Sequence, residues 1–364
     1  MTVTGGAAGR SPAPPLKAQA MRRMSPIRRI AETARSHEEG VWQVAGRVAV
    51  LLPLAALVFA VSVLAVKAYP AIRVNGWGFL TGTKWTYGGG YALPVHTDGV
   101  AHPQGSSFGA LTIITGTLQS SAIALIIAVP VSIGAAFALT ERLPTWLSRP
   151  LGFAIEVLAG IPSVVIGLWG LLTLGPILSR DVYPIIGNHM PDVPVLDFFR
   201  GTPAATGQGL FTAGLVLGLM IIPIIASTTR DLFNQVPPLP KEGASALGMT
   251  EWEVANKITI PWVRSGIIGA SVLGLGRALG ETVAVALVSG SAIHFAPNIF
   301  GQMTTIAATI LTQLDGAQTD GTGFAVATLA ELALVLAVIS VLVNLAAGVI
   351  IRRTSALVPS VGPT

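Results

Sequence analysis

The chain has 364 residues, of which 52% are hydrophobic and only 11% charged, with 41 glycines, no cysteine and a formal net charge of +5. So apolar and charge-poor a composition excludes an ordinary water-soluble domain, and the lack of cysteine excludes disulfides, thiolate metal sites and cysteine nucleophiles. The basic balance suits nucleic acid at first sight, but the basic residues sit at the edges of apolar runs, where they mark one side of a membrane.

Residues 1–45, rich in Ala, Pro, Ser and Arg, are expected to form a disordered basic cytoplasmic tail, either lying along anionic lipid or simply solvated. A cleaved signal peptide would carry its apolar stretch nearer Met1. Crossing a bilayer takes roughly 20 apolar residues. Six runs meet that need, at 48–66, 112–139, 151–174, 210–229, 265–289 and 329–351. A barrel would instead show alternating segments of about ten residues, and that pattern is absent from the sequence. The shorter apolar piece at 303–314 suits a re-entrant or pore-side helix. The expected fold is an all-α integral membrane protein with six transmembrane helices over 46–353 and a short cytoplasmic tail, 354–364.

Pro130, Pro162 and Pro223 lie inside these runs and predict kinks, because each removes a helix hydrogen bond. Ser163, beside one of them, is a candidate for lining a path through the bundle. Glu156 and Glu331, early in the third and sixth runs, read as interfacial anchors. Arg and Lys crowd the tail and the segments holding Arg142, Arg149, Arg230, Lys241, Lys257, Arg264, Arg352 and Arg353. The alternate segments hold fewer: Lys67, Arg73, Lys84, Arg180 and Arg200. Positive charge in short loops stays inside, so both termini are expected in the cytoplasm. The outer segments 67–109, 175–209 and 290–328 are long enough either to dock an external protein or to serve as plain connectors.

The polar stretch 237–261 between the fourth and fifth runs has its own punctuation. Pro237, Pro238 and Pro240 break the exit from the fourth run. A helix is expected over 241–247, with Gly248 at its left-handed stop. Thr250 and Glu253 form a T-x-x-E capping box that starts a second short helix, and Pro261 closes the segment. Gly243 and Ala244 are small enough to let another backbone approach. From local physics alone this is either a lever gripped by a partner or an ordinary amphipathic surface loop.

In the fifth run, Arg277 and Glu281 are four residues apart, which on a continuous helix puts them on one face. A charge at mid-bilayer costs about 2.5–3.5 kcal/mol. Two readings follow: a self-neutralising pair, or an Arg that meets an anion in transit while Glu281 limits its hold. The planar guanidinium suits oxyanions such as phosphate. Gly274, Gly276 and Gly280 do not make a dinucleotide fingerprint, since no strand precedes them. Gly276 and Gly280 instead give a small-residue face for packing membrane helices.

Two motifs carry a resemblance. Glu242, Gly243 and Ala244, then Gly248, Ile258, Ile260 and Pro261 keep every spacing of E-A-A-x3-G-x9-I-x-L-P, with Gly for the first Ala and Ile for Leu. That pattern resembles the EAA loop of ABC-importer permeases. The run from Gly274 to Thr282, the third-run sequence from Ala159 to Gly170, and Arg230, Asp231, Leu232 and Phe233 resemble the PstC family of phosphate permeases, a likeness covering most of 45–353.

The resemblance implies a type I ABC importer (MetI-like) permease fold with a cytoplasmic coupling helix. It implies that Glu242, Gly243, Ala244, Gly248, Ile258 and Pro261 couple to an ATPase, and that Arg277 and Glu281 serve phosphate passage. The implied partners are a second, PstA-like permease, PstB-like ATPase subunits and a PstS-like external phosphate-binding protein. No G-x-x-x-x-G-K-[ST] loop occurs in the sequence, so no cofactor is expected on this chain. ATP and Mg belong to the partner ATPase. Neither metal-ligand spacing among the five His residues nor a nucleophile elbow suggests an enzyme. The alternatives are a permease for another oxyanion such as sulfate, and an ATP-independent secondary transporter or channel, which would leave the EAA-like loop unexplained.

Overall fold

Apolar stretches that must satisfy every backbone amide internally become helices, and six helices here are long and apolar enough to cross a membrane. They are Val48–Asn75, Leu111–Arg142, Ser163–Ile186, Leu210–Asn234, Glu251–Leu279 and Phe324–Arg353. The computed structural model describes residues 26–89, 93–189, 198, 201, 203–296 and 298–355. The shortest span has 24 residues, roughly 36 Å at helical rise, which exceeds a hydrocarbon core of about 30 Å.

The chain divides into two units, Met1–Ser62 and Val63–Thr364. The described part of the first unit is helical from Pro26, at the start of helix Pro26–Asn75. Part of the expected disordered tail is therefore helix: the residues after Pro26 are rich in Ala, Arg and Glu, good helix formers, and proline is tolerated in a first turn. Residues 1–25 and 356–364 lie outside the described residues. Leu51, Leu54, Leu57 and Phe59 of the first unit are exposed, an apolar surface suited to lipid or to another chain.

In the second unit the fourth span, Leu210–Asn234, is the hub, with 67% of its apolar window buried. The second span crosses it where side chains are small. A Cβ on Gly214 would lie 2.5 Å from Ile123, and Gly218 faces the backbone of Ala124. The fifth span approaches from another side through Gly274, against Ile225 and Ile221, and Gly266, against Leu232. Ser132 Oγ donates to the Ile222 carbonyl at 3.1 Å, adding a polar tie between the second and fourth spans. The sequence singled out Gly276 and Gly280 for helix packing. Within this chain Gly274 does that work instead, and a Cβ on Gly276 would meet nothing within 4 Å.

The prolines behave unequally. Helices Leu111–Phe137 and Leu210–Asn234 run through Pro130 and Pro223 as single elements. At Pro162 the chain stops and restarts, because the residue before a proline is pushed out of the α region and Gly160 ends the preceding helix. The expected third span, 151–174, is therefore two elements: helix Thr145–Ala159, then the span Ser163–Ile186. Glu156 belongs to the first of these. It is tied to Arg230 at 2.8 Å, so it is an ion-pair partner and not a lone anchor. Glu331 is likewise partnered: it is only 5% exposed and accepts from Asn75 Nδ2, at the end of the first span, at 2.9 Å.

The outer segments are more ordered than their composition suggests. Val95–Thr97 pairs with Val100–His102 in an antiparallel hairpin, whose turn residues Asp98 and Gly99 both have positive φ, as an Asp-Gly hairpin turn requires. Trp85–Thr86 pairs with Ser107–Phe108, and Tyr87 donates to Gln313 Oε1 at 3.0 Å. The apolar piece expected at 303–314 is helix Ile306–Gln318, capped by Thr305. Its first amide donates to Thr117 Oγ1 of the second span at 2.9 Å, and Gly116 lets the Thr304 carbonyl come close.

Asp320 caps the start of the sixth span by accepting from the amides of Thr322 and Ala325, both at 2.9 Å. Partial burial pushes its carboxyl up, but these amide bonds outweigh burial and hold it below its ordinary value. Its contribution to stability is complete above the ordinary value of 3.8 and fades as pH falls from there through the lower folded value. The protection of the Thr322 and Ala325 amides against exchange, relative to the unfolded chain at the same pH, should therefore fall on acidification in the wild type, and Asp320→Asn should flatten that dependence. A Cβ on Gly116 would sit 2.2 Å from the Thr304 oxygen. Gly116→Ala should destabilise the detergent-purified protein by about 1–3 kcal/mol, whereas Gly276→Ala should leave its melting unchanged or higher.

Candidate functional site

The stretch between the fourth and fifth spans folds as its punctuation dictates. Pro237 is the N-cap, and Pro238 and Pro240 fall in the first turn of helix Pro238–Ala246, where missing amides cost nothing. The helix thus starts earlier than the expected 241. At its end Gly248 takes φ +82°. Its amide donates to the Ser245 carbonyl at 3.0 Å, and that of Met249 donates to Ala244 at 3.2 Å, the paired bonds of a Schellman stop. Thr250 and Glu253 then form the full capping box that opens Glu251–Val254. Pro261 does not close the segment. The chain passes through the π-helical turn Ala255–Thr259 into helix Ile260–Leu279, and the wider turn accommodates a residue that lacks an amide.

Glu242 and Gly243 face outward with Leu239 and Leu247, which are 76% and 82% exposed. Ala244 faces inward and is buried, so among the three residues of the motif it packs on its own chain. Ile258 is half-buried and Pro261 exposed. Two ion pairs fix the loop to the end of the second span: Lys241 Nζ to Glu141 Oε1 at 2.6 Å, and Arg142 to Glu251 at 2.9 Å. Sequence reading registered Arg142 only as a side-marking charge and passed over Glu141. The partner of Glu141 lies 100 residues away, so no local pattern announces it.

The fifth span stops at Leu279, with Gly280 as its C-cap. The chain turns through 280–282 and restarts as helix Val283–Val288. Arg277 and Glu281 therefore do not share a helical face. Arg277 is exposed in the last turn, where a cation complements the helix C-terminus. Glu281 caps the next helix, accepting from the Ala284 amide at 3.4 Å. Among the described residues Arg277 makes neither ion pair nor hydrogen bond, so the self-neutralising pair is absent.

Ser163 opens helix Ser163–Trp169 after the other break. That helix packs on Val283–Val288 with Gly167 against Ala284 and Gly170 against Val288. These contacts advance in the same direction along both chains, so the two helices are parallel and start at one end. The fold thus sets Ser163 and Glu281 at the same level, just beyond the turn that carries Arg277.

Residues 128–356, which hold all of these elements, match the family described as "Binding-protein-dependent transport system inner membrane component". The chain belongs to this permease family. It is 56% identical over 318 residues to "Phosphate transport system permease protein PstC 1" of Mycobacterium tuberculosis, covering 87% of this chain and 94% of that one. It is 42% identical over 268 residues to "Phosphate transport system permease protein PstC" of Haemophilus influenzae, covering 73% and 82%. Among solved structures it is similar to the inward-facing MetNI methionine ABC transporter, at 15% identity and a TM-score of 0.45, covering 67% of this chain and 96% of that one.

Loop geometry in this permease can be tested through its glycines. Gly248→Ala places a Cβ in the left-handed region at a cost of about 1–2 kcal/mol, and should loosen the loop, seen as faster amide exchange across 244–250. Gly243, whose Cβ would meet nothing within 4 Å, should accept Ala with slower exchange, because Ala favours helix.

Proposed function

We propose that this chain is the permease subunit of an ATP-driven phosphate importer, forming half of the translocation path. The observation that carries the reading is an unpaired, exposed Arg277 at a break in a membrane-spanning helix, in a chain 56% identical to a PstC permease over 87% of its length. A guanidinium offers phosphate paired donors. With no acid bound to it among the described residues, it is available to an anion. Glu281 and Ser163 stand at the same level and complete the candidate pathway.

The energy comes from outside. The sequence lacks a nucleotide phosphate loop, so ATP and Mg belong to a PstB-like partner and this chain is not itself an enzyme. Glu242 and Gly243, flanked by exposed Leu239 and Leu247, form the seat for that ATPase, while Ala244, Gly248, Ile258 and Pro261 shape it from beneath. The basic residues around this loop support a cytoplasmic position for it, and with six spans both termini lie on the same side in this reading. A PstA-like permease supplies the other half of the path against Gly276, Gly280 and Arg277, and a PstS-like protein delivers phosphate from outside. Transport is alternating access between two states whose populations nucleotide biases.

Labelled phosphate uptake, in cells lacking their own high-affinity system and supplied with the partner subunits, tests this reading. Arg277→Ala should lower uptake about a hundredfold or more while the complex still co-purifies. Wild-type uptake by that variant would end the substrate role of Arg277, and competition by sulfate would move the cargo to another oxyanion. Glu242→Lys and Gly248→Trp should release the ATPase or abolish its stimulation. Unchanged co-purification together with unchanged stimulation would refute the seat.

A further inference from the structure

The polar loop, residues 235–259 and so including the first turns of the fifth span, is covalently joined to the fourth and fifth spans alone, yet its charged contacts run to a third. The second span ends in the π-helical turn Ala138–Arg142, and two adjacent residues of opposite sign on that turn reach different helices of the loop. Glu141 holds Lys241 of helix Pro238–Ala246 at 2.6 Å, and Arg142 holds Glu251 of helix Glu251–Val254 at 2.9 Å. The first pair is the stronger. Its side chains are 27% and 20% exposed, whereas those of the second are 54% and 61% exposed, and well-solvated pairs contribute little. Arg142 gains a second hold, with its guanidinium 5.9 Å from the centre of the Phe137 ring. Phe137 in turn meets Trp252 of the loop edge-on at 5.8 Å.

Beyond this turn the second span is not free to slip. Ser132 bonds to the Ile222 carbonyl of the fourth span, and the two helices interlock at Gly214 and Gly218. Farther along, Thr117 receives the first amide of helix Ile306–Gln318. A displacement of the loop therefore has a continuous path of packed and hydrogen-bonded contacts into the second span, and through it to the segment that precedes the sixth.

We propose that Glu141 and Arg142 are positioning residues that latch the loop to the second span, delivering loop movement to that span as well as to the two spans the loop connects. The proposal rests on the reading of the loop as the seat of the ATPase. Adjacent charges of opposite sign suit a latch, because each fixes one of two helices meeting at the Gly248 turn and neither helix can tilt without straining one pair.

Charge exchange in the reconstituted importer tests the latch, with inorganic phosphate and ATP as probes. Glu141→Lys and Lys241→Glu should each lower the phosphate moved per ATP hydrolysed about tenfold. The complex should still co-purify and the KM for phosphate should be unchanged, a split that a merely destabilised permease would not give. The double exchange, Glu141→Lys with Lys241→Glu, should restore the ratio. Singles that keep the wild-type ratio would overturn the latch, and so would a double exchange as poor as either single. Failure of the underlying reading is separately visible: ATPase stimulation that survives Glu242→Lys with the latch intact would overturn the seat itself.

Discussion

Helices in this chain meet where side chains are missing. Lipid tails give apolar helices no hydrophobic reason to associate, so contact must come from close packing and polar ties. The fourth span supplies both. Gly214 and Gly218 admit the second span, Gly274 and Gly266 of the fifth span admit Ile225 and Leu232, and Ser132 adds a hydrogen bond to Ile222. Around this hub the second and fifth spans are fixed in depth as well as direction, because interlocked glycine contacts resist sliding. The polar loop is then suspended from a rigid trio: one end leaves the fourth span, the other enters the fifth, and its ion pairs reach the second.

How much of this was legible in the sequence follows the range of each interaction. The six spans were visible because apolar length is a property of contiguous residues. The Schellman stop at Gly248 and the capping box of Thr250 and Glu253 were visible because their partners lie within a few residues. The third span was misplaced because the apolar run continues across 160–162, where Gly160 and Pro162 end one helix and begin another without any change in hydropathy. The two outer prolines were read with the same rule, yet Pro130 and Pro223 stay within continuous helices. The rule gives the cost of a proline and not whether neighbouring helices absorb it.

At the candidate site the residues were legible and their arrangement was not. Spacing alone placed Arg277 and Glu281 on one face, but Gly280 ends the helix between them. Ala244 was read as part of a presented surface and is buried, since helix phase fixes which of three consecutive residues turns inward. The pairs Lys241–Glu141, Arg142–Glu251 and Arg230–Glu156 join residues remote in sequence and leave no local signature.

The distribution of these charges bears on what Arg277 is for. Lys241, Glu141, Arg142 and Glu251 gather around the polar loop, where water and partner proteins lower the cost of charge, and each has an opposite partner within hydrogen-bond reach. Glu331, buried beside the end of the first span, is bonded by the Asn75 amide. Arg277 differs from all of them: it stands at the end of an apolar helix with neither acid nor carbonyl bound to it among the described residues, and the acid nearest in sequence is spent on capping the following helix. A helix break within a membrane is tolerated where it is covered by protein or lines a water-filled cavity. The break at 280–282, exposed at Gly280 and half-buried at Glu281 and Thr282, therefore calls for a second chain, for water, or for both. An unpaired guanidinium at that position is stable only where an anion or water can reach it, which is the condition a path for phosphate must meet.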